Sequence, residues 1–187
     1  MVGAVGRIFV GIELPADTRQ ALAARLNAEL DGKIPGRVVP PANWHVTIRF
    51  LGEVGEVDYD RLLAELSTAD LGRPFAVVFD ALGAFPRSKR ATVLWVGVSN
   101  GEDSLNRLAD RSWSAIDAIG FPPEDRPFHP HLTLSRLRPP EDVNRLISEA
   151  NPLRVPARVD AITVFRSHLR QGGARYEVLD RIELTDN

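Results

Sequence analysis

One pattern occurs twice in the chain, His45-Val46-Thr47-Ile48 and His131-Leu132-Thr133-Leu134, offset by 86 residues. Both copies lie in runs where apolar and polar residues alternate, His-Val-Thr-Ile-Arg-Phe and His-Leu-Thr-Leu-Ser. A period of two marks a half-buried strand rather than a helix. Successive side chains on a strand point to opposite faces, so His45 and Thr47 share one face while Val46, Ile48 and Phe50 share the other. The same parity sets His131, Thr133 and Ser135 opposite Leu132 and Leu134. Each strand is expected to have an oily back and an imidazole-plus-hydroxyl front. Four histidines and seven threonines placed at random give about 0.15 His-x-Thr triplets. Two copies in strand-like runs therefore argue for two parts of one site rather than two incidental surface histidines.

The order of elements around the copies repeats as well. Ile8 to Leu14 reads as a strand, Ala16 to Leu30 as a helix, Trp44 to Leu51 as a strand, Tyr59 to Ser67 as a helix and Phe75 to Leu82 as a strand. After a basic turn come a strand from Thr92 to Val98, a helix from Asp103 to Ile119, a strand from Pro130 to Leu137, a helix from Glu141 to Ala150 and a strand from Ala157 to Phe165. A final strand runs near Tyr176 to Glu183. The expectation is an α+β fold in a single domain of two lobes, a duplicated unit roughly spanning 7–82 and 91–165 with pseudo-twofold symmetry. Two mostly antiparallel sheets would flank a central cleft, with helices on the outer faces. Gly32 to Pro41 and Gly120 to Phe128, rich in Pro and Gly, read as loops at the cleft mouth.

Two imidazoles facing across a cleft can divide a reaction, one taking a proton from a nucleophile and the other giving one to a leaving group. Hydroxyls one strand repeat away can hold an anionic oxygen between them. Phosphoryl transfer suits this layout, because its entering and leaving oxygens lie roughly in line and the remaining oxygens need donors around them.

These segments resemble the 2H phosphoesterases, and among them the RNA 2′,3′-cyclic phosphodiesterase family, also called the 2′-5′ RNA ligase family. The resemblance extends over Arg7 to Pro15, Asn43 to Val54, Leu82 to Pro86, Leu94 to Val98, Arg126 to Arg136 and Phe165 to Ser167. It implies hydrolysis of a ribose 2′,3′-cyclic phosphate to a 2′-phosphomonoester without a metal or other cofactor. By motif match it implies His45 and His131 as catalytic residues, Thr47 and Thr133 as phosphate-binding residues, and a leaning toward His131 as the base. Arg136 resembles the arginine that recurs after the second motif. Regular parity places it on the back with Leu132 and Leu134, so it reaches phosphate only past a bulge or strand end. Arg49 has the right parity to contact the phosphate or to be a solvated face residue; Arg126 is secondary.

Phe85, between two strands, is a base-stacking candidate or a cap on the core. Trp44 and Trp95 read as packing residues. His129 adds an imidazole beside the second motif, as a phosphate neighbour or an incidental surface residue, and His168 reads as a solvated loop residue. Arg87, Lys89 and Arg90 form a basic cluster beside Phe85, either a cleft rim or a solvated hairpin tip.

The absence of cysteine removes disulfides, thiolate nucleophiles and cysteine-bearing zinc sites, and the two motif histidines lie too far apart for a standard zinc spacing. No metal is expected. A formal charge of −2 and a pI near 6.1 point away from broad polyanion binding, so RNA ends or cyclic nucleotides would be gripped locally. The start of the chain reads as a strand rather than a signal peptide, and no apolar run approaches a membrane span. A cytoplasmic monomer is the expectation. Alternatives carried by the same residues are a 2′-5′ RNA ligase, a phosphodiesterase for another cyclic nucleotide, and a non-catalytic module that binds RNA ends.

Overall fold

The computed structural model of the protein describes residues 3–170 and 173–185. In chain order the elements are β1 (Ala4–Glu13), α1 (Ala16–Glu29), β2 (Arg37–Val38), β3 (His45–Gly55), α2 (Glu56–Thr68), β4 (Phe75–Phe85) and β5 (Ala91–Asn100). They continue with α3 (Glu102–Ala118), β6 (His131–Glu141), α4 (Asn144–Glu149), β7 (Val155–Val159), β8 (Ala161–Arg170) and β9 (Gly173–Glu183). The α+β class and the antiparallel pairing are as the alternation predicts. No helix among the described residues is long and apolar enough to cross a membrane.

The two expected sheets are joined into one, in the order β7-β4-β5-β6-β3-β1-β8-β9, with the short β2 on β6. The join is between the two motif strands, where Val46 pairs with Leu132. These are the central residues of His-Val-Thr and His-Leu-Thr. Antiparallel pairing at this point sets all four polar side chains on one face, with His45 alongside Thr133 and Thr47 alongside His131.

The halves of the sheet are not successive halves of the chain. β4 follows the first motif but pairs with β5 and β7, while β8 follows the second motif and pairs with β1 and β9. The region expected as one strand from Ala157 to Phe165 is two strands, because the chain crosses here between the halves. Asp160 marks the break: its carbonyl accepts from Leu184 N at 2.7 Å and its carboxylate from Arg181 at 2.7 Å. The helix expected from Glu141 begins at Asn144, because β6 runs on to Glu141, which pairs with Ala91.

One continuous core backs the sheet. Val46 and Ile48 of β3, Leu132 and Leu134 of β6, and Leu94 and Val96 of β5 are all less than 5% exposed. Leu22 and Leu26 of α1, Leu62 and Leu66 of α2, and Leu105, Leu108 and Ile116 of α3 are buried against it. The helices thus occupy the oily side, and the imidazole face is left open.

The two motif strands share an irregularity that decides the site. On β3, Glu13, Ile12, Gly11, Val10 and Phe9 of β1 stand opposite His45, Val46, Thr47, Arg49 and Phe50, so Ile48 is an extra residue. On β6, Gly97, Val96, Trp95, Leu94 and Val93 of β5 stand opposite His131, Leu132, Thr133, Ser135 and Arg136, so Leu134 is the extra one. A bulge of one residue reverses the parity of everything beyond it. Both bulge carbonyls find donors: Ile48 O accepts from the Trp113 indole at 3.0 Å, and Leu134 O from Val39 N of the β2 segment at 2.7 Å.

Candidate active site

The open face of the two motif strands forms the floor of a cleft of about 590 Å³. His45, Thr47, His131, Thr133 and Arg136 line it together, with Phe50, Phe85, His129 and Tyr176 among its walls. All the site residues expected from the sequence are therefore brought together.

The imidazoles are held in the same way. His45 Nδ1 donates to the carbonyl of Asn43 at 2.8 Å, and His131 Nδ1 donates to the carbonyl of His129 at 2.7 Å. A carbonyl only accepts, so each neutral ring carries its proton on Nδ1 and leaves Nε2 as the acceptor. At His45 that acceptor takes the Thr47 hydroxyl at 3.0 Å. His131 Nε2 has no partner among the described residues.

Aromatic rings surround both histidines. The Phe9 centroid lies 4.9 Å from that of His45, and Tyr176 meets the ring edge-on at 4.8 Å. Phe85 meets His131 edge-on at 5.0 Å. Trp95 lies beneath, over Gly83 and Gly97, where a Cβ would come within 2.2 Å and 2.9 Å of its ring. Trp44 is buried and donates to Val39 O at 3.0 Å, so both tryptophans pack as expected.

These surroundings oppose positive charge on the rings. Burial lowers His45 from 6.5 to about 4; the Asn43 carbonyl pulls upward, while His131 and Arg136 add to the fall. Burial likewise lowers His131, with the His129 carbonyl opposing it and the His129 and Arg136 charges assisting. Burial raises the Tyr176 phenol, which Arg136 partly offsets. Both shifts favour the neutral imidazole near pH 7, so the rings take a proton only as the pH falls.

The bulges correct four parity assignments. Arg136 moves to the front beside His131 and Thr133, and Ser135 to the back, where it is buried with its hydroxyl unpartnered among the described residues. Phe50 moves from the oily face to the cleft, 62% exposed and 5.4 Å from Phe9. Arg49 takes its place behind, 2% exposed, donating to Asp117 at 2.5 Å and to the carbonyls of Trp113 and Pro122. It braces α3 against the β3 bulge, and although it also lines the cleft its guanidinium is committed to these three partners.

His129 lines the cleft with its ring 6.1 Å from that of His131. His168 lies on β8 rather than in a loop, paired with Glu177 at 2.8 Å. Arg126 stands at the mouth, paired with Glu124 at 3.6 Å. Arg87, Lys89 and Arg90 are in the turn between β4 and β5 and do not line the cleft. Sequence reasoning missed Phe50, Tyr176 and Trp113. Regular alternation argued against the first, and only the long-range pairing locates the other two. No group of three or more His, Asp or Glu suited to a metal occurs among the described residues.

The family model described as LigT-like phosphoesterase matches residues 12–95 and 96–176, one match over each motif. The fold and the doubled motif thus define a phosphoesterase. The chain belongs to the LigT-like phosphoesterase family and is a hydrolase. It is 33% identical over 154 residues to an Aeropyrum pernix protein named RNA 2′,3′-cyclic phosphodiesterase, covering 80% of this chain and 87% of that one. It is 30% identical over 180 residues to the Escherichia coli protein of the same name, covering 96% and 97%. The crystal structure of E. coli LigT complexed with 3′-AMP superposes with a TM-score of 0.76 at 28% identity, covering 97% of this chain and 99% of that one.

Two outcomes follow from the site. Arg49→Ala should cost about 1–3 kcal/mol in urea unfolding, because it leaves the carbonyls of Trp113 and Pro122 without their donor, and phosphate affinity of the folded protein should hold. Unchanged stability with lost phosphate binding would contradict a bracing role. Ring NMR of the ligand-free protein should give His45 a midpoint near 4 and His131 one below 6.5, both rising when phosphate fills the cleft. A ligand-free His45 midpoint at or above 6.5 would contradict the burial argument.

Proposed function

We propose that the protein opens 2′,3′-cyclic phosphates at RNA ends to 2′-phosphomonoesters, without a metal. The observation that carries this reading is the pair of imidazoles over one cleft, each with Nδ1–H committed to a carbonyl, His45 Nε2 accepting from the Thr47 hydroxyl and His131 Nε2 without a partner among the described residues. The substrate is suggested by the relatives named RNA 2′,3′-cyclic phosphodiesterase.

His131, with no protein partner on Nε2, takes a proton from water as the water oxygen attacks phosphorus. The P–O3′ bond breaks in line, and His45 gives its Nε2 proton to the departing O3′. The product carries a 2′-phosphate and a 3′-hydroxyl, and solvent restores the two protonation states. His45 must be charged for this step, and the phosphate anion favours that by raising its pKa on binding. Thr47, Thr133 and Arg136 hold the remaining phosphate oxygens as charge gathers on them. Phe85 and the open ring of Phe50 offer faces for the terminal base.

Incubation of an oligoribonucleotide ending in a 2′,3′-cyclic phosphate with the protein in EDTA should yield the 2′-phosphomonoester. Unreacted ends or a 3′-phosphate would overturn the reading. His45→Ala and His131→Ala should each lower kcat by about 10²- to 10⁴-fold, and the double variant should be little worse than either single one, because the pair acts as a unit.

A further inference from the structure

β2 is two residues long, yet it places a second arginine directly beside the one in the site. Arg37 stands opposite Arg136 in the antiparallel register, so both side chains leave the same face of the sheet. Val39, two residues on, lines the cleft, in agreement with that face. Like charges directly opposite each other on neighbouring strands are destabilising. Here no carboxylate relieves them: neither arginine has an ion-pair or hydrogen-bond partner among the described residues.

The placement is also built in by two glycines. Gly36 holds φ at +74°, and a Cβ there would lie 2.7 Å from Arg136 O, so glycine lets β2 settle against β6. At Gly173 of β9 a Cβ would lie 2.7 Å from Arg37 Nη2, so the guanidinium rests against bare backbone across the gap between β2 and β9. Arg138, exposed two residues beyond Arg136 on β6, prolongs the line of cations outward from the histidines.

A cyclic phosphodiester carries one negative charge, and Arg136 already faces it. We infer that Arg37 binds a second phosphate, the phosphodiester preceding the terminal nucleotide of a single-stranded RNA, and so makes the protein prefer oligonucleotide ends to free cyclic mononucleotides. This rests on the proposed hydrolysis of RNA ends and adds to it a residue that selects the polymer over the free mononucleotide. The repulsion between the two guanidiniums is relieved when two successive phosphates lie over them.

The test compares kcat/KM for a cyclic-phosphate-ended oligoribonucleotide and for 2′,3′-cyclic AMP, over a series of salt concentrations. The parent protein should favour the oligonucleotide. Arg37→Ala should lower kcat/KM for the oligonucleotide about ten- to a hundredfold and leave cyclic AMP within about twofold, which also shows that the variant folds. The slope of log kcat/KM against log salt for the oligonucleotide should become shallower by about 0.7, the value for one single-strand phosphate contact. Arg37→Glu should lower the oligonucleotide further still. An equal fall for both substrates would mean that Arg37 serves the reacting phosphate, and no change for either would mean that it binds none; each overturns the inference. Failure of the parent protein to open either substrate would instead overturn the proposed function.

Discussion

Everything in the cleft depends on one backbone pairing, Val46 with Leu132. Because the paired residues sit between the histidine and the threonine of each motif, the antiparallel register fixes four polar side chains on one face in a diagonal arrangement. The driving force lies on the other face, where Val46 and Leu132 are almost wholly buried. Slipping either strand by one residue would turn its imidazole into the core and an apolar side chain into the cleft. The hydrophobic effect thereby holds the register, and the register assembles the site.

The halves share a frame and differ in what they mount on it. Phe50 and Arg136 occupy the same position, three residues beyond the threonine and past the bulge. One half supplies an open aromatic ring there and the other a cation. Arg49 and Ser135 correspond likewise, one bracing α3 and the other buried with no hydroxyl partner among the described residues. A symmetric frame with this unequal furnishing suits a ligand that is itself unequal at its two ends.

Much of this was legible in the sequence because it depends on local periodicity. The two His-x-Thr strands, the order of the elements and the open face follow from alternation and from buried leucines at helical spacing. Regular parity misplaces Arg49, Phe50 and Ser135, and brings Arg136 to the cleft only if a bulge is allowed, for one physical reason. A bulge adds a single residue without changing the apolar-polar alphabet, so the run Ile48-Arg49-Phe50 still reads as regular alternation. Only pairing partners on β1 and β5 reveal the extra residue. The exchange of β4 and β8 between the halves of the sheet, the break at Asp160, and the roles of Tyr176, Trp113 and Arg37 likewise depend on neighbours distant in the chain.

A bound product tests the central geometry most directly. A crystal structure with a nucleoside 2′-phosphate in the cleft should place phosphorus between Nε2 of His45 and Nε2 of His131, with phosphate oxygens on Thr47, Thr133 and Arg136. A phosphate held by one motif alone, or seated away from both imidazoles, would contradict the view that the two strands form a single site.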